Sequence, residues 1–165
     1  MKRLTLVRHA KSSREDPLLE DIDRPLSKRG EENAPLMGKR LAKKEMMPDL
    51  LLTSPARRAA KTARIIAGKI GFAKDKVEKV DAIYEASPET LLGILRGLTD
   101  ECQHVMMVGH NPGFTDLNNV VNRTKIDNIP TCGVVCIDLD IAAWSELAAG
   151  QGTQVFFDYP KNPQK

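Results

Sequence analysis

Two guanidinium groups and two imidazoles stand at the ends of apolar runs in this chain. Arg8-His9 closes the run Leu4–Val7, Arg58 lies four residues past Ser54, which closes Asp49–Thr53, and His110 closes His104–Gly109. Guanidinium offers a planar fork of N–H donors that suits a tetrahedral oxyanion, and a neutral imidazole offers a nitrogen lone pair. Four such groups around one point make a site for a dianionic phosphoryl group, the more so beside helix N-termini with free N–H groups. Taken singly, Arg8-His9 reads equally well as a place where a strand meets water.

Whether the four meet depends on the elements that carry them. Leu4, Leu6 and Val7 read as a buried strand. Residues 10–26 form a polar loop with Pro17 and Pro25, long enough to expect either a functional role or disorder. Ser27 caps a helix that continues to about Lys44, with an irregular first turn or kink expected near Pro35. Residues 49–53 are a second strand, and the helix after it starts near Pro55 with Ser54 as its cap. Ala59, Ala63, Ile66, Ala67 and Ile70 form that helix's buried face, Gly71 ends it, and Arg57, Arg58, Lys61 and Arg64 take the wet side. A weaker strand is expected over 79–84, then Glu85 and a helix from Ser87-Pro88-Glu89 to about Leu98. Residues 104–110 are apolar enough for a strand buried on both faces. A turn at Asn111-Pro112-Gly113 leads into a helix through Leu117 and Val121. Two late strands, 133–139 and 153–158, flank Trp144, and the tail from about 160 is expected to be loose.

Strands alternating with helices predict a three-layer α/β/α sandwich with a mostly parallel central sheet and an antiparallel edge strand, in a single domain over 1–165. In a parallel sheet the carboxyl ends share one edge, which is where open α/β sheets bind ligands. That edge would gather Arg8, His9, Arg58 and His110.

Composition narrows the classes of function. Hydrophobic residues make up 41% and charged residues 28% of the chain, with a net charge of +3 and aromatics at only 4%, so nothing argues for nucleic acid or a membrane as partner. Cys102, Cys132 and Cys136 lack metal-site spacing and read as buried free thiols, the latter two on one face of a strand. The start Met-Lys-Arg followed by four uncharged residues is too short for a signal peptide, and a reducing cytoplasm is the expected location.

The motifs resemble the histidine phosphatase superfamily, the phosphoglycerate mutase-like group. Arg8-His9 with Ser12, Ser54-Pro55-Ala56-Arg57-Arg58-Ala59 with Thr62, and Gly109-His110-Asn111-Pro112 carry the likeness. Asp23-Arg24-Pro25-Leu26-Ser27 with Gly30 looks like its SixA-type branch of phosphohistidine phosphatases. Ala10 departs from the family's Arg-His-Gly; a backbone contact to phosphate survives that change where φ permits. The resemblance implies that His9 attacks phosphorus and becomes phosphorylated, while Arg8, Arg58 and His110 hold the phosphoryl oxygens. Glu85 falls where the family carries its acid, and its alternative is a solvated carboxylate ahead of a helix. Ser12, Arg24 and Lys11 are candidate substrate contacts; His104, at the far end of its strand, is structural. No metal and no cofactor is implied, since two arginines repel a cation that His9 and His110 might otherwise hold. The expected substrate is phosphohistidine on a protein, because the chain leaves little room for a lid. The alternatives are a small phosphate ester, or a phospho-binding module without turnover.

Overall fold

The apolar alternation along the central strands decides the layers. Leu4, Leu6, Val105 and Met107 point into one core, and Val7, Met106 and Val108 into the other. In the computed structural model, which describes residues 1–164, these strands are β1 (Lys2–Arg8) and β4 (His104–Gly109), and both are almost wholly buried. The six-stranded sheet is completed by β2 (Leu50–Thr53), β3 (Glu78–Lys79), β5 (Val134–Leu139) and β6 (Gly152–Asp158), in the order β3-β2-β4-β1-β5-β6. Helices α1 (Lys28–Lys43) and α2 (Arg57–Ile70) pack their apolar faces on one core; α3 (Pro88–Arg96) and α4 (Gly113–Val121) pack on the other. The expected three-layer sandwich is the observed architecture. On the α3/α4 side the largest plug is Trp144, fully buried, with Nε1 donating to the Cys102 carbonyl at 2.7 Å.

Several local expectations need correction. The antiparallel strand is β5, one place in from the edge; the edge strand β6 pairs antiparallel with β5 and so runs parallel to β1. Five of the six residues of β5 are buried, which suits an interior strand, whereas β6 exposes Thr153 and Val155, as an edge can. Strand β3 is only two residues long, because the chain breaks into a single 3-10 turn at Asp81–Ile83. Helix α3 stops at Arg96, short of Leu98. Cys132 precedes β5 in a turn with φ 59°, although it joins Cys136 in the same core as a buried free thiol.

Helix α1 runs unbroken through Pro35 and is capped by the Ser27 hydroxyl, which accepts from the Gly30 N–H at 3.1 Å. Gly30 is required there by crowding: a Cβ would fall 2.2 Å from the Lys11 carbonyl oxygen. The contact pins α1 against the segment leaving β1. In the tail, Arg40 donates to the Tyr159 and Pro160 carbonyls, and Asn162 donates to Asp158; Lys165 lies outside the described residues. No helix among the described residues is long and apolar enough to cross a membrane.

Candidate active site

Parallel pairing brings three strand ends level. Arg8 is in register with Gly109 and Thr53 with Val108, so His9, Ser54 and His110 leave the sheet side by side. The ladder extends one step beyond the strands, through His9 N–H to the Gly109 carbonyl and Ser54 N–H to the Val108 carbonyl, both at 3.0 Å. The imidazole rings of His9 and His110 consequently lie 5.1 Å apart, centroid to centroid.

His9 is oriented by its own backbone neighbour. Its Nδ1 lies 2.7 Å from the Ala10 carbonyl oxygen. A carbonyl only accepts, so Nδ1 carries the proton and Nε2 is left with a lone pair. Burial lowers the ring's pKa to about 3, and His110, Arg58 and Arg8 push the same way against the stabilising bond to Ala10. His9 is therefore neutral at physiological pH. Burial, followed by Arg58, lowers His110 to about 4. His110 Nε2 sits 2.7 Å from the Ser54 hydroxyl, and the Tyr84 ring meets it edge-on at 5.5 Å. Ser54 Oγ also accepts the Ala56 N–H at 3.1 Å, so it joins His110 to the turn into α2, which starts at Arg57 with Ala56 before it and has no side-chain cap. A local helix rule is broken where the strand ends converge, as happens at sites shaped for chemistry.

Arg8 and Arg58 approach from two sides. Arg8 Nη1 donates to the Ile129 carbonyl at 2.9 Å, while its buried Nε has no hydrogen-bond partner among the described residues. Buried donors of that kind are rare, and burial lowers the Arg8 pKa. Arg58, only 6% exposed, is gripped by one residue: Nη1 donates to the Asp21 carbonyl oxygen at 2.6 Å and Nη2 to Asp21 Oδ2 at 2.9 Å. Below it, the Thr62 hydroxyl donates to the Arg58 carbonyl at 2.7 Å and accepts the Ala10 N–H at 3.0 Å. The Ala10 N–H is thereby committed to Thr62 and is not free for phosphate.

Asp21 is the site residue that the motifs did not single out. Its Oδ2 also accepts from the Tyr84 hydroxyl at 2.6 Å, and its Oδ1 accepts from Arg24 Nη1 at 2.8 Å. The Tyr84 bond, with Arg58 and Arg24 behind it, holds the Asp21 carboxyl well below the usual carboxylate range; in return the Tyr84 phenol is pushed up to about 12. One carboxylate thus ties the loop after β1 to α2 and to the turn before α3. Five acids lie in residues 15–23, and nothing in their spacing marks Asp21 from Glu15, Asp16, Glu20 or Asp23.

Arg8, His9, Asp21 and Arg58 form the common floor of two adjoining cavities. One, of about 490 Å³, is walled by Lys11, Ser12 and Arg24, and the Ser12 hydroxyl accepts from Arg24 Nη2. The other, of about 530 Å³, is walled by Tyr84, Glu85, His110 and Asp116. All eight residues expected at the site therefore line one cleft. Glu85 is exposed at the rim, with a left-handed backbone (φ 55°) that a non-glycine residue adopts only where its surroundings impose it. His104 stays at the opposite edge, bonded to Thr5 Oγ1 at 2.7 Å.

Comparison with known proteins bears on this geometry. The model of the histidine phosphatase superfamily (branch 1) matches residues 4–106. An uncharacterized chloroplastic protein of Arabidopsis thaliana is 30% identical over 159 residues, covering 92% of this chain and 72% of that protein. A protein of Agrobacterium tumefaciens assigned as a phosphohistidine phosphatase SixA superposes with a TM-score of 0.80 at 28% identity, over 96% of this chain and 98% of that one. The protein histidine phosphatase SixA complexed with tungstate superposes with a TM-score of 0.81 at 20% identity, over 96% and 97% of the two chains.

Proposed function

The chain belongs to the histidine phosphatase superfamily, in its SixA-type branch, and from that premise we propose that it hydrolyses phosphohistidine on proteins through its own phosphorylated His9. The observation that carries the proposal is the free lone pair on His9 Nε2, fixed by the Nδ1 bond to Ala10 and set among cations.

The phosphoryl group sits over the common floor of the cleft. Arg8, through its unpartnered Nε, and Arg58, through the N–H groups that Asp21 leaves free, take the non-bridging oxygens, with His110 beside them. His9 Nε2 attacks phosphorus; the new N–P bond forms as the bond to the substrate's imidazole nitrogen breaks, and that nitrogen takes up a proton. Water then attacks the phosphorylated His9, releasing inorganic phosphate and returning Nε2 with its lone pair. No metal enters this scheme, since the guanidinium groups supply the positive charge.

Glu85, at the rim on the Tyr84 side, is the proposed proton donor to the leaving group. An imidazole nitrogen accepts a proton readily and an alkoxide needs one delivered, so Glu85→Gln should slow an ester substrate more than a phosphohistidine one. Equal losses on both would remove Glu85 from this role.

The deciding experiment measures turnover of a protein phosphorylated on histidine and of p-nitrophenyl phosphate, with EDTA present. Wild type should dephosphorylate the protein, and His9→Ala should lose on the order of a thousandfold or more on both substrates. Turnover of the ester alone would favour a small-molecule phosphatase. Binding of the phosphoprotein without turnover would leave a recognition module.

A further inference from the structure

Beside the catalytic cleft, across the three-residue turn Asp21–Asp23, runs a second groove of about 600 Å³. Its walls carry five cations, Arg57, Lys61, Arg64, Lys74 and Lys79, and one acid, Asp23, over a floor that includes Ile22 and Ile65. None of the five cations forms an ion pair among the described residues, in which four other side-chain pairs are found. The chain as a whole carries only +3, so the patch is a local concentration of charge.

The groove is aimed at the site by the fold. Arg57, Lys61 and Arg64 recur at i, i+4 and i+7 and make one stripe along α2, leading away from the catalytic edge for about 10 Å. The stripe begins next to Arg58. Lys79 is in register with Thr53, directly before the Ser54 that holds His110, so it lies at the same sheet edge. Lys74 comes in from the far side across Gly68, where an added Cβ would lie 2.7 Å from Lys74 Cε. Three separate stretches of chain thus deliver charge of one sign to the rim beside His9.

We propose that this groove docks an acidic surface of the phosphorylated protein substrate, a reading that rests on the proposed protein phosphohistidine activity. A phosphoryl group carried on a histidine side chain can reach the cleft floor only if the donor protein's surface comes down on the rim. The cations on α2 then meet carboxylates around the phosphorylated histidine and raise the encounter rate more than the residence time. A small ester has no such surface and gains nothing from the groove.

The test uses the triple variant Arg57→Glu, Lys61→Glu, Arg64→Glu. All three side chains are exposed and none belongs to the catalytic cleft. With p-nitrophenyl phosphate, kcat/KM should stay within about twofold of wild type, which also reports that the fold is intact. With a phosphotransfer protein phosphorylated on a histidine in an acidic face, kcat/KM should fall about tenfold or more. Wild-type turnover of that protein should drop as salt rises above ~0.3 M, and the variant's should not. A second arm measures binding of the unphosphorylated acidic protein to the His9→Ala enzyme, with and without the triple change, and needs no turnover. Equal rates on the phosphoprotein and equal binding would overturn the docking proposal. So would binding of an RNA oligonucleotide at the groove with no preference for the acidic protein. Failure of wild type to dephosphorylate any protein histidine would instead strike the proposed activity, and the binding arm would still decide the groove.

Discussion

The two edges of the sheet hold similar residues in opposite conditions. At the amino edge, Arg3 forms a two-point bond with Asp138 at 2.7 and 3.2 Å, Asp49 accepts the N–H groups of Gln103 and His104, and His104 is bonded to Thr5. At the carboxyl edge, Arg8 keeps a buried Nε without a partner among the described residues, and His9 keeps a bare Nε2. Both edges bury histidines with lowered pKa, to about 4 for His104 and about 3 for His9, with burial the main cause in each. A depressed imidazole is therefore not in itself a mark of chemistry. What separates the edges is hydrogen-bonding capacity left unspent beside a cavity.

The largest effect that sharpens this contrast comes from Arg8→Met. An orphaned buried donor costs about 1–3 kcal/mol, so removing the guanidinium should leave thermal stability unchanged or raised. The Ile129 carbonyl is not stranded by the change, because Asn111 Nδ2 also donates to it at 3.0 Å. Activity should fall on the order of a hundredfold to a thousandfold, as when a preorganised anion donor is lost. A clear loss of melting temperature together with retained activity would mean that Arg8 belongs with Arg3 as a structural cation.

Asp21→Asn should cost less, about tenfold in kcat/KM, because Arg58 stays in place through its bond to the Asp21 carbonyl oxygen while the carboxylate bonds to Arg58, Arg24 and Tyr84 weaken. The loss should appear mainly in kcat if Asp21 sets the angle of Arg58. A higher affinity for inorganic phosphate in the variant would mean instead that the carboxylate competes with the substrate for Arg58.

These contrasts also explain what could be read from the amino-acid order. Layering followed from the apolar alternation in β1 and β4, and the shared edge followed from helices inserted between parallel strands. Asp21 was not legible because its importance comes from where a long loop folds back, and no periodicity records that. Ser54 reads as a helix cap by local propensity, whereas α2 starts two residues later than that cap requires, at Arg57. The Ser54 hydroxyl is shared between the Ala56 N–H and His110, which lies 56 residues further along. The position of the antiparallel strand escaped for a related reason: only the pairing of β5 with β1 decides which of the two late strands takes the edge.

A third measurement follows the three imidazoles by NMR through pH and phosphate titrations. All three histidines have folded pKa values below the usual 6.5, so their burial contributes stability that is complete above about pH 6.5. That contribution is lost as pH falls from there toward 4 and 3, where the folded imidazoles at last take up protons. The melting temperature should decline over the same window. Inorganic phosphate, an anion throughout this window, should raise the pKa of His9 and His110 when bound at the carboxyl edge and leave His104 where it is. A parallel shift of His104 would show that the two edges are not independent.

The smallest effect belongs to Arg3→Ala. Its ion pair with Asp138 is about one-third exposed on each side, so water screens it, and the loss should be under ~1 kcal/mol. Arg3 is also the cation that holds His104 down, second only to burial, so the variant should let the His104 pKa rise. His9 draws its added depression from His110, Arg58 and Arg8 at the other end of the strand. Its pKa and the rate of phosphoryl transfer should not move. Were Arg3→Ala to slow turnover while His104 alone changed its titration, the amino edge would have to act on the cleft through the strand β1 that joins them. The satisfied bonds of that edge would then be part of the enzyme's machinery, and the distinction between the two edges would fail.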